Sequence, residues 1–426
     1  MVLTTLDLRG KGTHVREFLP TPADPGADVA DAVASIIAEV RARGDIAIAD
    51  LTERFDGVRL ASSMVDSAQI AAAVERVPND LLAALERAWA SILAYHADEA
   101  PSPAAFRGEG LVVQHRDIPV ERAGCYAPGG RARYPSSVLM CAAPARVAGV
   151  REIILCTPPA ADGRIDDATL AAAHVAGITA VYAVGGAQAI AAMAIGTDTI
   201  ERVDVIVGPG NSYVAEAKRQ LSGLVGIASA FAGPSEIVVI ADASTPADLA
   251  AVDLMVQAEH GPDGMAWLIT WVPEIVPAIE ESLTELMASA PRRADLEATM
   301  ASSGVACLVD SPAAAMAVSN IVAPEHLELL VTEYAPLVEM ISAAGAVFCG
   351  LDAPASLGDY AAGPNHILPT NRSARFSSAL RADDFRRHIH VVEVDRAGFE
   401  ALAETVIILA EAEGLDAHAE SIRRRR

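Results

Sequence analysis

The stretch between residues 152 and 221 leaves this chain few folds to choose from. Apolar runs at 152–156, 179–184 and 203–207 have the length of strands. Each is followed by helically spaced residues: at about 165–176, after Gly185-Gly186-Ala187-Gln188, and from Gly208-Pro209-Gly210-Asn211 to near Leu221. Such alternation requires a parallel sheet with covered faces, because parallel neighbours need a crossover and these strands are apolar on both sides. Two of the strand-to-helix turns are glycine-rich, where parallel sheets bind phosphate or nucleotide at their carboxyl ends. The dinucleotide fingerprint G-x-G-x-x-G is absent, since Tyr213 stands where its third glycine would fall.

A second α/β unit follows, with strands predicted at 236–241, near 265–271, 304–309 and 345–349, and a helix over 246–260. Residues 1–24 read as a short arm. Helices are predicted at 27–43, 47–55, 67–76 and 79–97, then strands at 111–115 and 118–120. The polar 358–366 stretch reads as a loop, and 396–412 as a helix. Pro324 suits the first position of a helix, which would place Glu325 and His326 in its first turn.

A net charge of −24 argues against nucleic acid and against anionic membrane surfaces as partners. The most apolar window, 171–196, is broken by His174, Gly185, Gly186 and Gln188, so no membrane span is expected. Residues 1–10 lack a leader pattern, and five cysteines without a CxxC fit buried thiols of a cytoplasmic protein.

Glu325-His326 sets a carboxylate beside a base that titrates near neutrality, a pairing suited to acid–base chemistry or to a plain helix start. Gln257 and His260 share a helix face. With Asp359 and His418 they form a nitrogen and oxygen donor set suited to Zn²⁺, but they come from three distant segments, so spacing leaves the set open. His388 and His390 alternate along a predicted strand and have no third partner nearby in sequence.

Ten motifs in order settle more than any one does. They are Tyr126-Ala127-Pro128-Gly129-Gly130, Val184-Gly185-Gly186-Ala187-Gln188-Ala189, Val207-Gly208-Pro209-Gly210-Asn211, Ala232-Gly233-Pro234-Ser235-Glu236 and Gln257-Ala258-Glu259-His260. Then come Ala323-Pro324-Glu325-His326-Leu327-Glu328, Leu357-Gly358-Asp359-Tyr360, Asn365-His366-Ile367-Leu368-Pro369-Thr370, Ala374-Arg375-Phe376-Ser377-Ser378 and Glu413-Gly414-Leu415-Asp416-Ala417-His418. With these the chain resembles histidinol dehydrogenases essentially end to end.

The resemblance implies two Rossmann-like parallel-sheet domains without the fingerprint, plus an N-terminal arm and a C-terminal helical tail. The expected division is an arm at 1–24, a discontinuous α/β domain at 25–124 and 235–380, an inserted NAD-binding domain at 125–234, and a tail at 381–426 that crosses a homodimer. It implies oxidation of L-histidinol through L-histidinal to L-histidine, with two NAD⁺ consumed and one zinc per subunit. Zinc ligands would be Gln257, His260 and Asp359, with His418 from the other subunit. His326 would be the general base and Glu325 the activator of water. Tyr126, Gln188 and Asn211 match positions that contact NAD; Ser235, His366 and Glu413 match positions that contact substrate. The chain departs from the usual pattern at Asn371-Arg372-Ser373, where a small glycine-containing turn is common, at Ala228-Ser229-Ala230-Phe231, at Cys141 and at 263–266. Relatives of this kind that oxidise another small polar alcohol, such as a sulfonated propanediol, supply the alternative substrate class.

Overall fold

The computed structural model describes residues 2–19, 27–99, 105–129, 133–178, 180–228, 235–259 and 264–426. The alternation at 152–221 becomes a five-stranded parallel sheet. Its spatial order is Ala180–Ala183, Glu152–Thr157, Arg122–Tyr126, Val205–Val207, Gly226–Ile227. Numbered along the chain, that order is 3-2-1-4-5, with the direction of winding reversing between the first and fourth strands.

The second sheet repeats this order: Gly304–Leu308, Met265–Thr270, Glu236–Ala241, His326–Leu330, Ala346–Cys349. Its strands are parallel, and the central ones are buried on both faces. Two Rossmann-like sheets are therefore present, as the resemblance implied. The strand Thr4–Asp7 adds a sixth member beside Gly304–Leu308. The N-terminal segment is thereby tied to the sheet edge, with Leu3 and Leu8 buried. Residues 20–26 lie outside the described residues.

The helices of 27–98, which the expected division set with 235–380, also pack on the five-stranded sheet's helices, and the last of them reaches 363–367, where His96 Nε2 lies 3.3 Å from Asn365 Nδ2. Ala27–Arg43 packs on Gly186–Ile195 and Ser212–Leu221, Ser67–Arg76 on Asp167–Val175, and Asn79–Asp98 on Pro135–Ala148. The reason lies in Gly186–Ile195, where every residue from Ala187 to Ala194 is buried. A helix apolar all round needs a second layer outside it, and the Val33, Ile36, Ile37 and Val40 stripe supplies one.

The two short strands predicted near 111–120 are one, Leu111–Pro119. It pairs antiparallel with Arg386–Val394 and Ala105–Gly108, so the tail begins with a strand before its helices Arg396–Ala412 and Asp416–Arg423. Among the described residues, no helix is long and apolar enough to cross a membrane.

Candidate functional site

Glu325 and His326 are not in a helix, and that expectation is corrected. The helix Pro312–Val322 starts on a Ser311 cap, whose Oγ accepts the Ala314 N–H, and ends with Ala323 in a left-handed conformation (φ 49°). Pro324 therefore follows a helix end, its other common place. The next residues, His-Leu-Glu-Leu-Leu, form a fully buried strand with parallel neighbours on both sides. Alternation sends Leu327 and Leu329 into one core layer and sets His326 and Glu328 on the opposite face.

His326 is held from both ring nitrogens. Nε2 lies 3.0 Å from Asp359 Oδ1; Nδ1 lies 3.3 Å from the Glu236 carbonyl oxygen and 3.6 Å from Glu325 Oε2. Burial pulls the imidazole down, but the charges of Glu325 and Asp359 outweigh it and hold His326 well above its ordinary value. Glu325 Oε2 accepts the Glu236 N–H at 3.1 Å, so a free N–H at the amino end of a strand supports the carboxyl. The Glu236 side chain is itself buried. Desolvation first, and Glu325 next, push its carboxyl up to about 8. Its Oε1 accepts the Asn371 N–H at 2.9 Å, from a turn in which Asn371 and Arg372 are both left-handed (φ 53° and 61°).

Asp359 comes from the short helix Ala355–Tyr360, so the predicted loop opens with a helical turn. A Cβ on Gly358 would fall 2.5 Å from Phe348 Cε1, and that ring stacks on His326 with centroids 6.0 Å apart. Glycine thus allows the helix to lie against the ring. His366 Nδ1–H donates to the Asp359 carbonyl at 2.7 Å, leaving Nε2 to accept from Ser137 Oγ at 3.2 Å. Burial pulls His366 below its ordinary value, which fits this neutral tautomer. A cavity of ≈ 260 Å³ opens beside Asp359, His366, Phe348 and Tyr95.

Of the expected zinc ligands, Gln257 is 1% exposed and its Nε2 has no hydrogen-bond partner. The two ends of an amide are alike in shape, so the unpartnered end can be the oxygen that a metal takes. His260 lies outside the described residues. His418 and Glu413 sit exposed on the tail, and among the described residues no three His, Cys, Asp or Glu side chains gather as a metal cluster. Ser235 is half-buried, its carbonyl accepting the Met265 N–H immediately before the strand Glu236–Ala241. His388 is paired with Asp117 and Asp383, away from these groups, and His390 packs edge-on against His115.

The residues expected to contact NAD gather at the carboxyl edge of the five-stranded sheet. Tyr126 Oη accepts the Gly186 N–H at 3.0 Å, and buried Gln188 lies in the first turn of the same helix. Asn211 caps Ser212–Leu221 by accepting from Tyr213 and Val214 N–H, both at 3.1 Å. At Gly208 (φ 114°) a Cβ would fall 2.0 Å from the Tyr126 carbonyl oxygen, so only glycine lets these two strand ends meet. The buried Lys218 ammonium donates to the Gly208 carbonyl, and desolvation lowers its pKa to about 8. This contact point is where the winding reverses, the usual crevice for a nucleotide.

Sequence reasoning missed Phe348, Ser137 and the side chains of Glu236 and Glu328. The two acids stood inside quoted motifs, but only burial distinguishes them from surface carboxylates. The ring and the serine carry no sequence signal.

The family model described as histidinol dehydrogenase matches residues 20–426. A histidinol dehydrogenase of Parasynechococcus marenigrum is 46% identical over 399 residues, covering 93% of this chain and 91% of the relative. One of Chlorobaculum tepidum is 44% identical over 410 residues, 96% of each. Among solved structures, the histidinol dehydrogenase of Elizabethkingia anophelis aligns with a TM-score of 0.95 at 34% identity, covering 100% of this chain and 98% of that one.

Proposed function

The chain belongs to the histidinol dehydrogenase family of NAD-dependent oxidoreductases, and we propose that it oxidises L-histidinol through L-histidinal to L-histidine, the last steps of histidine biosynthesis, in the cytoplasm. The observation that carries the chemistry is His326, fixed between Asp359 and the Glu236 carbonyl with Glu325 at 3.6 Å.

In the first oxidation His326, acting in its neutral form, takes the hydroxyl proton as the carbinol carbon gives up hydride, and the Glu325 and Asp359 charges beside it favour the cation that results. Glu325 then takes a proton from water as it adds to the aldehyde. Before the second oxidation His326 passes its proton to solvent; it then takes a hydroxyl proton of the hydrate as the carbon gives up a second hydride, and the acid results. NAD, when bound, accepts the hydride of each step. Tyr126, Gln188 and Asn211 would hold it, at the edge where helix N-termini meet the winding reversal.

Zinc, when bound, holds the amino and imidazole nitrogens of the substrate. Gln257, His260 and Asp359 would bind it together with His418 of the partner subunit. The unpartnered Gln257 amide and the mixed nitrogen and oxygen donors fit that metal. Ser235, His366 and Glu413 would contact substrate.

The exposure of Glu413 and His418 supports a homodimer with shared sites. Leu402, Ile408, Leu409 and Leu415 on the same tail are also exposed, an apolar surface suited to a subunit interface. NADH formation on histidinol, against a panel of amino alcohols and a sulfonated propanediol, tests the reading. Two NADH per histidinol are expected. None from histidinol but some from another alcohol would move the chain to the alternative substrate class, and none from any alcohol would refute the enzyme reading.

A further inference from the structure

The strand that presents His326 also carries an acid on the same face. Glu328 lies two residues further on and is only 2% exposed. Its Oε1 accepts the Ala355 N–H at 2.6 Å, and its Oε2 closes no hydrogen bond. Ala355 is the first residue of the helix Ala355–Tyr360, and Asp359 of that helix reaches His326 Nε2 at 3.0 Å.

Behind Glu328 stands Asp253, also buried, one turn before Gln257 on the helix Ala247–Ala258. Desolvation first, and the Asp253 charge next, push Glu328 up to about 9; burial raises Asp253 as well. The pair therefore keeps a proton at neutral pH and stays in place without a counter-cation. A buried acid that accepts one backbone N–H and keeps its proton does the work of an amide, a neutral clasp between a strand and the helix beside it.

We propose that Glu328 is a positioning residue of the site: its bond to the Ala355 N–H docks Ala355–Tyr360 on the strand and so fixes the distance from Asp359 to His326. The proposal rests on the roles given above to His326 and Asp359. His366 and His326 hold the far end of this helix, at Asp359, whereas the Glu328 bond holds its amino end. The helix is six residues long, below the length at which a helix stands alone, and Gly358 meets Phe348 without a Cβ. Loss of the Ala355 bond frees its amino end, and Asp359 sits about one turn away.

The test uses the full-length enzyme with Glu328→Leu, Glu328→Gln and, separately, Ala355→Pro. Proline is compatible with the first position of a helix, and Pro354 already has the extended conformation (φ −70°, ψ 154°) that a following proline requires. Ala355→Pro thus removes the donated N–H and leaves Glu328 intact, which keeps the proposal testable if Glu328→Leu fails to fold. Deuterium exchange of the 356–361 amides is measured without added metal, and kcat and KM with histidinol and NAD.

Glu328→Leu and Ala355→Pro should each speed exchange in this segment by about tenfold or more. They should lower kcat by about 10²-fold, as an ångström-scale misplacement does, with the KM for NAD within about threefold of wild type. Glu328→Gln, which still accepts from Ala355, should remain near wild type in both measurements. Wild-type exchange and kcat in Glu328→Leu or Ala355→Pro would overturn the proposal, as would a Glu328→Gln enzyme as impaired as the leucine variant. Wild-type protein inactive on histidinol would refute the assigned reaction, while the exchange result would still judge the clasp.

Discussion

Replacement of Gly358 by alanine should separate the acid from the base. The new Cβ would lie 2.5 Å from Phe348 Cε1 and 2.6 Å from Cζ, whereas ordinary contacts begin at 3.4 Å. Something must move by about 1 Å. If the helix Ala355–Tyr360 retreats, it carries Asp359; if the ring yields, it disturbs the imidazole stacked on its face, at 6.0 Å and 19°. On either route the 3.0 Å contact between Asp359 and His326 opens to roughly 4 Å, beyond hydrogen-bond range. Overpacking of this kind costs about 1–3 kcal/mol of stability, and a misplacement of this size costs about 10²-fold in kcat. Steady-state NADH formation gives kcat, and urea unfolding gives the stability difference. Gly358→Ala paired with Phe348→Leu makes room for the methyl and should regain activity to within about tenfold of wild type. Wild-type kcat in the single variant, or no recovery in a folded double variant, would refute the steric account.

Glu236→Gln should change how stability depends on pH. The unfolded carboxyl loses its proton near 4.5, the folded one at about 8. Its stabilising effect is complete below 4.5 and is lost as pH rises towards 8, by about 1.4 kcal/mol per unit. Relative to wild type, the variant should therefore gain about 2 kcal/mol in urea unfolding between pH of about 6 and about 7.5; parallel curves would exclude the raised carboxyl. Asp359→Ala and His418→Ala should each lose most bound zinc by elemental analysis. Random reassembly of the two should restore about a quarter of wild-type activity, because half the dimers are mixed and each mixed dimer has one intact site. Inactive but folded mixed dimers would place all the ligands in one chain.

What could be read from the sequence was what short-range periodicity controls. The strand Glu236–Ala241 and the helix Arg396–Ala412 fall at their predicted bounds, because apolar spacing within a few residues decides both. Pro324 misled because proline serves equally at a helix start and just beyond a helix end. Ser311 and Pro312, a cap and a first-turn proline, already marked the start of the helix that Pro324 follows. Partners distant in sequence were not legible. Nothing local tells the Val33–Val40 stripe to cover Gly186–Ile195, or brings Ser137 to His366. In the site, Glu325-His326 was visible as a chemical pair, but its meeting with Asp359 across 33 residues came only through the resemblance.

The two sheets share one winding order and use opposite edges. At the carboxyl edge of the five-stranded sheet two helices begin, and the positive ends of their dipoles suit the phosphates of a dinucleotide. At the amino edge of the six-stranded sheet, the first N–H of a central strand, that of Glu236, holds the Glu325 carboxyl. His366 joins the edges, bonding Asp359 on one side and Ser137, in the first turn of the helix that leaves the carboxyl edge, on the other. Five carboxyls, of Glu236, Asp253, Glu325, Glu328 and Asp359, crowd the amino edge, and burial sorts them. Glu236 and Glu328 are pushed to about 8 and about 9, so near neutral pH they give hydrogen bonds and bulk rather than charge. Glu325 and Asp359 are the acids whose attraction for the imidazole exceeds its desolvation. The setting of His326 is therefore defined less by its own dipeptide than by the buried acids packed around it.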